Sequence, residues 1–155
     1  MQTTIFAIVW ILCVLAPVTA GPALDPETFC IDMTGIDSAE TQTEMNAAAA
    51  REYHRADDTL NIVYARIMGE YTANTEFVEA MRNAQRAWIV FRDLHLESIF
   101  PGGERGRFWG TIYPTSRYLE LAEITWARVM TLYRWISTDT QGYHGSYGCK
   151  SAFVD

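Results

Sequence analysis

The chain has 155 residues, of which 49% are hydrophobic and 20% charged, a balance that excludes a disordered chain and fits one domain with its own core. Its formal net charge is −7, and residues 1–20 contain no Asp, Glu, Lys or Arg, so the acidic excess belongs wholly to residues 21–155. That surface argues against sequence-independent nucleic-acid binding, which rests on cationic contacts to phosphate, and permits attraction to a basic partner.

Residues 5–18 form a nearly unbroken apolar run, and Val18, Thr19 and Ala20 supply small residues before Gly21. This pattern predicts a signal peptide over residues 1–20, cleaved after Ala20, and a periplasmic or secreted product with no membrane contact afterwards. The run is short for a membrane span. Only the amino terminus supplies positive charge ahead of it, so a retained N-terminal anchor is the alternative. A lipoprotein signal is disfavoured because Cys13 follows the bulky Leu12. Cleavage leaves Cys30 and Cys149, and an even pair in an exported protein predicts a disulfide. Closing a loop of 118 intervening residues would contribute about 4–5 kcal/mol through chain entropy. A Cys-x-x-Cys pair, which redox or metal chemistry would want, is absent.

Residues 21–37, with two prolines and two glycines, read as an extended arm tethered at Cys30. The first helix is expected to begin near Ser38 or Thr41, where Thr41 and Glu44 fit a capping box. Met45, Ala49, Ala56, Leu60, Val63, Ile67 and Tyr71 then recur at helical spacing, and the helix should stop around Tyr71. The alanines at 47–50 favour helix and let another backbone come close. The short connection at 72–74 sends the second helix back antiparallel. Asn74 or Thr75 can cap it, Phe77, Met81, Ala84, Trp88, Phe91 and Leu94 form its expected apolar stripe, and Pro101 ends it. Residues 101–113 break the pattern with Pro101-Gly102-Gly103, then Glu104, Arg105 and Arg107, then Phe108-Trp109-Gly110. Long loops are where function often sits. Pro114 suits the first turn of the third helix. Leu121 (or Ala122), Thr125, Val129, Leu132 and Ile136 give its inward stripe, and a Gly/Tyr-rich tail over 138–155 comes after it. The fold class is all-α: a small antiparallel bundle of three main helices over 38–137, with an irregular N-terminal arm and C-terminal tail.

The second helix carries an unusual column. Gln85, Trp88 and Arg92 share one face at i, i+3 and i+7, and a long amide and a guanidinium beside a core Trp need partners. Asp57, Asn61 and Tyr64 on the first helix and Thr125 and Arg128 on the third border the same seam. The expected network pairs Asp57 with Arg92 or Arg128 and fills the remaining valences with the amides. Breaking such a pair costs about 3–5 kcal/mol, so the network would fix register more than add net stability.

Thr41-Gln42, Glu44-Met45-Asn46, Tyr53, Ala56-Asp57, Leu60-Asn61 and Tyr64 in the first helix resemble the lysozyme inhibitor LprI-like N-terminal domain family. So do Ala84-Gln85-Arg86-Ala87-Trp88-Ile89 with Phe91-Arg92-Asp93 in the second, and Gly110-Thr111, Pro114, Thr125, Arg128 and Leu132 beyond it. The resemblance covers about residues 40–135. It implies a bacterial, exported, helical domain, one member type of which inhibits lysozyme. The family's usual cysteines fall at 47–50, at His95-Leu96 and at 118–121 in this chain, so its inter-helix cross-links are missing. Cys30 alone can correspond to a family cysteine.

Catalytic chemistry has little to rest on. His54 and Asp58 share a face and His95 lies near Glu97, but no third metal ligand has natural spacing. Asp57 with Asp93 fits structural pairing with arginine better than acid–base work. The nucleophile-elbow, zincin and phosphate-loop motifs are absent. No catalytic residue, metal or cofactor is therefore expected. A binding protein is the reading, with a basic protein such as lysozyme as partner and Glu104, Phe108 and Trp109 as the contact residues. The alternatives are that Trp109 folds back over the helix ends, and that the domain is a structural module of the envelope.

Overall fold

The computed structural model describes residues 23–102 and 109–137. The predicted signal peptide, Glu104, Phe108, Cys149 and the tail from 138 lie outside these residues. Among the described residues all regular structure is helical: α1 (Thr34–Asp37), α2 (Gln42–Glu70), α3 (Thr75–Ile99) and α4 (Tyr113–Tyr133), with 3₁₀ turns at Pro26–Thr28 and Gly110–Ile112. The arm is thus not simply extended. Asp25 caps its 3₁₀ turn, and α1 lays the buried Ile36 against Ala48 and Ala49.

The start of α2 is set by the expected capping box. Thr41 Oγ1 accepts from Glu44 N at 3.2 Å, and Glu44 Oε2 accepts from Thr41 N at 2.9 Å. Hydrogen bonds to the carboxylate, from the Thr41 side chain first and then from the Glu40 and Thr41 backbone N–H groups, hold the Glu44 carboxyl below its ordinary pKa. Asn74 caps α3 by accepting from Phe77 N at 3.0 Å. Pro114 lies in the first turn of α4, where no N–H is needed.

Helix α2 packs along α4 over most of its length, whereas α3 meets α4 much less. Small residues explain the closeness of that pair: Ala49, Ala56 and Ala122 are fully buried. Around them Leu60, Val63, Ile67, Trp126, Val129 and Leu132 form the main core, joined by Phe29 from the arm. Each aliphatic side chain among these contributes about 1.5–3 kcal/mol by leaving water. Contacts between Gln42 and Thr115, Glu52 and Trp126, and Tyr71 and Trp135 run in the same order, so α2 and α4 are parallel. Contacts of Gln85 with Arg128, His95 with Glu120 and Phe100 with Tyr113 run in opposite order, so α3 is antiparallel to α4.

The expected stripe of α3 needs correction. Met81 is buried and Trp88 partly so, but Ala84, Phe91 and Leu94 face solvent, and Leu96 takes the inward place. The expected stripe mixes two neighbouring rows: the bundle covers the one that carries Phe77, Met81, Trp88 and Leu96, and leaves Ala84, Phe91 and Leu94 in solvent.

Candidate binding site

The column on α3 does meet the third long helix. Arg128 Nε donates to Gln85 Oε1 at 3.0 Å, and Trp88 lies under two guanidiniums, Arg92 at 5.4 Å and Arg128 at 5.9 Å from its ring centre. Such cation–π contacts contribute about 0.5–2 kcal/mol, more where water is excluded. Burial lowers the pKa of Arg128 from the ordinary guanidinium value.

The expected pairing of Asp57 is not made. Asp57 accepts from Asn61 on its own helix at 3.3 Å, and Arg92 turns to its neighbour Asp93 at 2.9 Å. Helix register is the reason. With Glu52 level with Trp126, Asp57 comes roughly one turn past Arg128 along the parallel pair. Its carboxylate still acts at a distance: burial first, then Asp57, pushes up the pKa of Tyr53.

Thr125 is fully buried, and its Oγ1, like Arg128 Nη2, has no hydrogen-bond partner among the described residues. An unpaired buried hydroxyl costs about 1–3 kcal/mol. Thr125→Val, which keeps the shape and removes the hydroxyl, should therefore raise stability by about 1 kcal/mol, read as a higher urea midpoint. A lower midpoint would mean that a hydrogen-bond partner satisfies the hydroxyl.

A second polar cluster, centred on Glu52, lies outside the predicted network. Glu52 is only 6% exposed although charged. Its Oε1 accepts from Arg55 Nη2 at 2.6 Å, from Trp126 Nε1 at 3.2 Å and from the Asp32 backbone N–H at 3.2 Å. Arg55 in turn donates to the carbonyls of Thr28 and Cys30 and lies 4.5 Å from the centre of the Trp126 ring. This clasp straps the arm to α2 and α4 and holds Phe29 against Trp126. The sequence carries a signal for it: Glu52 sits three residues after Ala49 and four before Ala56, on the buried row of α2. Cys30 is half-buried beside the clasp, its Sγ 3.8 Å from the Glu27 carbonyl oxygen.

At the far end of α3 a smaller apolar cluster of Leu96, Phe100, Tyr113 and Leu121 closes the bundle. Trp109 is partly buried and meets Phe100 edge-on, with ring centres 4.9 Å apart. It therefore folds back over the helix ends while keeping part of its surface in solvent. Beside it opens a cleft of about 610 Å³ lined by Asp93, Glu97, Pro101, Gly102, Tyr113 and Arg117 among others. His95 bonds not to nearby Glu97 but to Glu120 of α4, at 3.1 Å. Among the described residues no group of three His, Cys, Asp or Glu side chains is placed to hold a metal ion. No described helix is long and apolar enough to cross a membrane.

The family model for lysozyme inhibitor LprI matches residues 35–132. The chain belongs to the LprI family. The LprI match runs from within α1 almost to the end of α4, so it contains the Trp88 column, the Trp109 cap and Glu52 itself. The arm residues held by the Glu52 clasp, Thr28, Cys30 and Asp32, precede the LprI match. No curated protein and no solved structure matches the chain.

Proposed function

We propose that this chain is an exported, non-catalytic binding protein that inhibits lysozyme by protein–protein contact. The observation that carries the reading is membership of the lysozyme inhibitor LprI family. Two physical features support it. A formal net charge of −7 suits a basic hydrolase, whose encounter with an acidic surface is accelerated by opposite charge. The end of the bundle also offers an aromatic anchor, the partly exposed Trp109 on Phe100, with the Asp93 and Glu97 carboxylates in the adjoining cleft.

In this reading Trp109 and Phe108 cover the hydrolase cleft and Glu104 meets a cation at its rim. The segment 1–20 directs export, and a Cys30–Cys149 disulfide ties the tail to the arm. Residues 21–155, purified and added in micromolar excess, should slow lysis of bacterial cell walls by hen-type lysozyme, with the effect weakening as salt rises. Unchanged lysis at that excess would overturn inhibition and leave a structural role in the envelope.

A further inference from the structure

The seam between α3 and α4 holds two buried donors without an acceptor. Thr125 is fully buried and Arg128 Nη2 is likewise shut off from solvent, yet neither Thr125 Oγ1 nor that nitrogen has a hydrogen-bond partner among the described residues. The two side chains start three positions apart on α4, so they are neighbours on one face of that helix. Long helical side chains lean back toward the N-terminus, which carries the Arg128 guanidinium over the turn that holds Thr125. Across the seam Arg128 reaches α3, donating from Nε to Gln85 and lying against the Trp88 ring. These contacts occupy its Nε and one flat face, and leave Nη2 unused.

Charge is unbalanced at the same place. The ion pairs among the described residues join Arg55 to Glu52, Arg66 to Glu70, Arg92 to Asp93 and His95 to Glu120, and none reaches Arg128. Burial lowers the Arg128 pKa, with no carboxylate working the other way. Arg92 brings a second guanidinium to the same indole. Its side chain is 16% exposed, whereas its partner Asp93 is 60% exposed and well hydrated. A half-buried cation beside a neutral amide costs free energy that a nearby anion offsets. A bridging water does not meet this need. It carries no charge, and it brings two protons where the unpaired buried side-chain oxygen among the described residues is that of Thr125 alone. An anion needs only donors, and a hydroxyl with a guanidinium N–H supplies them.

We infer that the seam between α3 and α4 binds a small monovalent inorganic anion of chloride size, held by the Thr125 hydroxyl and Arg128 Nη2. The enclosure of Thr125 favours a single ion over the carboxylate side chain of a partner protein. Bound there, the anion neutralises a guanidinium beside Trp88 and ties α4 to α3, where the two helices otherwise meet little. Two charge-assisted hydrogen bonds, reduced by the cost of stripping water from the ion, suit a weak Kd on the order of 10 mM. An ion that binds the folded chain stabilises it by mass action, so its signature is a saturable rise in stability. At that Kd the unfolding equilibrium constant should fall about tenfold between about 1 and 100 mM chloride. This inference does not depend on what the protein inhibits.

Urea unfolding of the purified mature protein tests it, with sodium chloride exchanged for sodium gluconate at constant ionic strength. Gluconate is too large for the seam, and constant ionic strength removes general screening from the comparison. The midpoint should rise with chloride and level off. Thr125→Val should show its gain in gluconate, where only the unpaired hydroxyl is lost, and should not respond to chloride. Thr125→Ser, which keeps the hydroxyl, should retain the response. Bromide should act as chloride does, and crystals grown in bromide should show an anomalous peak between Thr125 Oγ1 and Arg128 Nη2. A midpoint indifferent to chloride would overturn the inference and leave the two donors to water or unpaired. So would a response of equal size in Thr125→Val, a response lost in Thr125→Ser, or a bromide peak elsewhere with none at the seam.

Discussion

Glu52→Ala is expected to lower the stability of the domain by about 3 kcal/mol, the low end of what breaking a buried charge pair costs. The carboxylate accepts from three groups: the Trp126 indole N–H, the Asp32 backbone N–H and the Arg55 guanidinium. Without it the indole N–H loses its acceptor in the core, and Arg55 lies over an aromatic ring without its counter-charge. The figure stays at the low end because the Arg55 side chain is 39% exposed and can recover water. Glu52→Gln keeps an acceptor oxygen and should cost about half as much. Urea unfolding followed by tryptophan fluorescence reads both values. Because the clasp also straps the arm, limited proteolysis of Glu52→Ala should cut between residues 25 and 33 well before the helices. A loss under about 1 kcal/mol with an uncut arm would reduce the clasp to a surface ion pair.

The second large effect contrasts two residues that both sit on apolar helical rows. Ile67→Ala should cost about 2–5 kcal/mol, because Ile67 is fully buried between α2 and α4 and the close-packed walls cannot collapse onto the void. Leu94→Ala should change stability by less than about 0.5 kcal/mol in dilute solution, because the side chain already lies mostly in water. Thermal or urea unfolding at low micromolar protein measures both. Similar costs for the two would mean that α3 is covered by something in solution.

That contrast shows where the sequence is legible and where it is not. The rows of α2 and α4 can be read because each helix has one strong apolar stripe and clear boundaries at Thr41, Tyr71 and Pro114. Helix α3 carries two rows only one position apart, and the choice between them is made by where α4 lies, which is not local information. The column of Gln85 and Trp88 does find Arg128, as its polar ends require. Asp57 does not find the arginines, since residue spacing says nothing about the relative height of two helices. Glu52 escapes for a different reason: a charged residue on a core row reads as a gap in the row, although its position requires a buried partner. The short helix α1 has no periodicity long enough to be seen in sequence.

Whether the bundle end is the inhibitory contact is tested most directly by the affinity of Trp109→Ala for lysozyme, measured by calorimetry alongside the circular dichroism of the variant. Trp109 meets Phe100 at its edge and is not part of the main core, so the helical signal should be retained at about 25 °C. If Trp109 is the anchor, Kd should rise at least tenfold, about 1.4 kcal/mol or more, as for a central aromatic contact residue. An unchanged Kd in a folded variant would contradict the account, and would move the contact away from the end of the bundle.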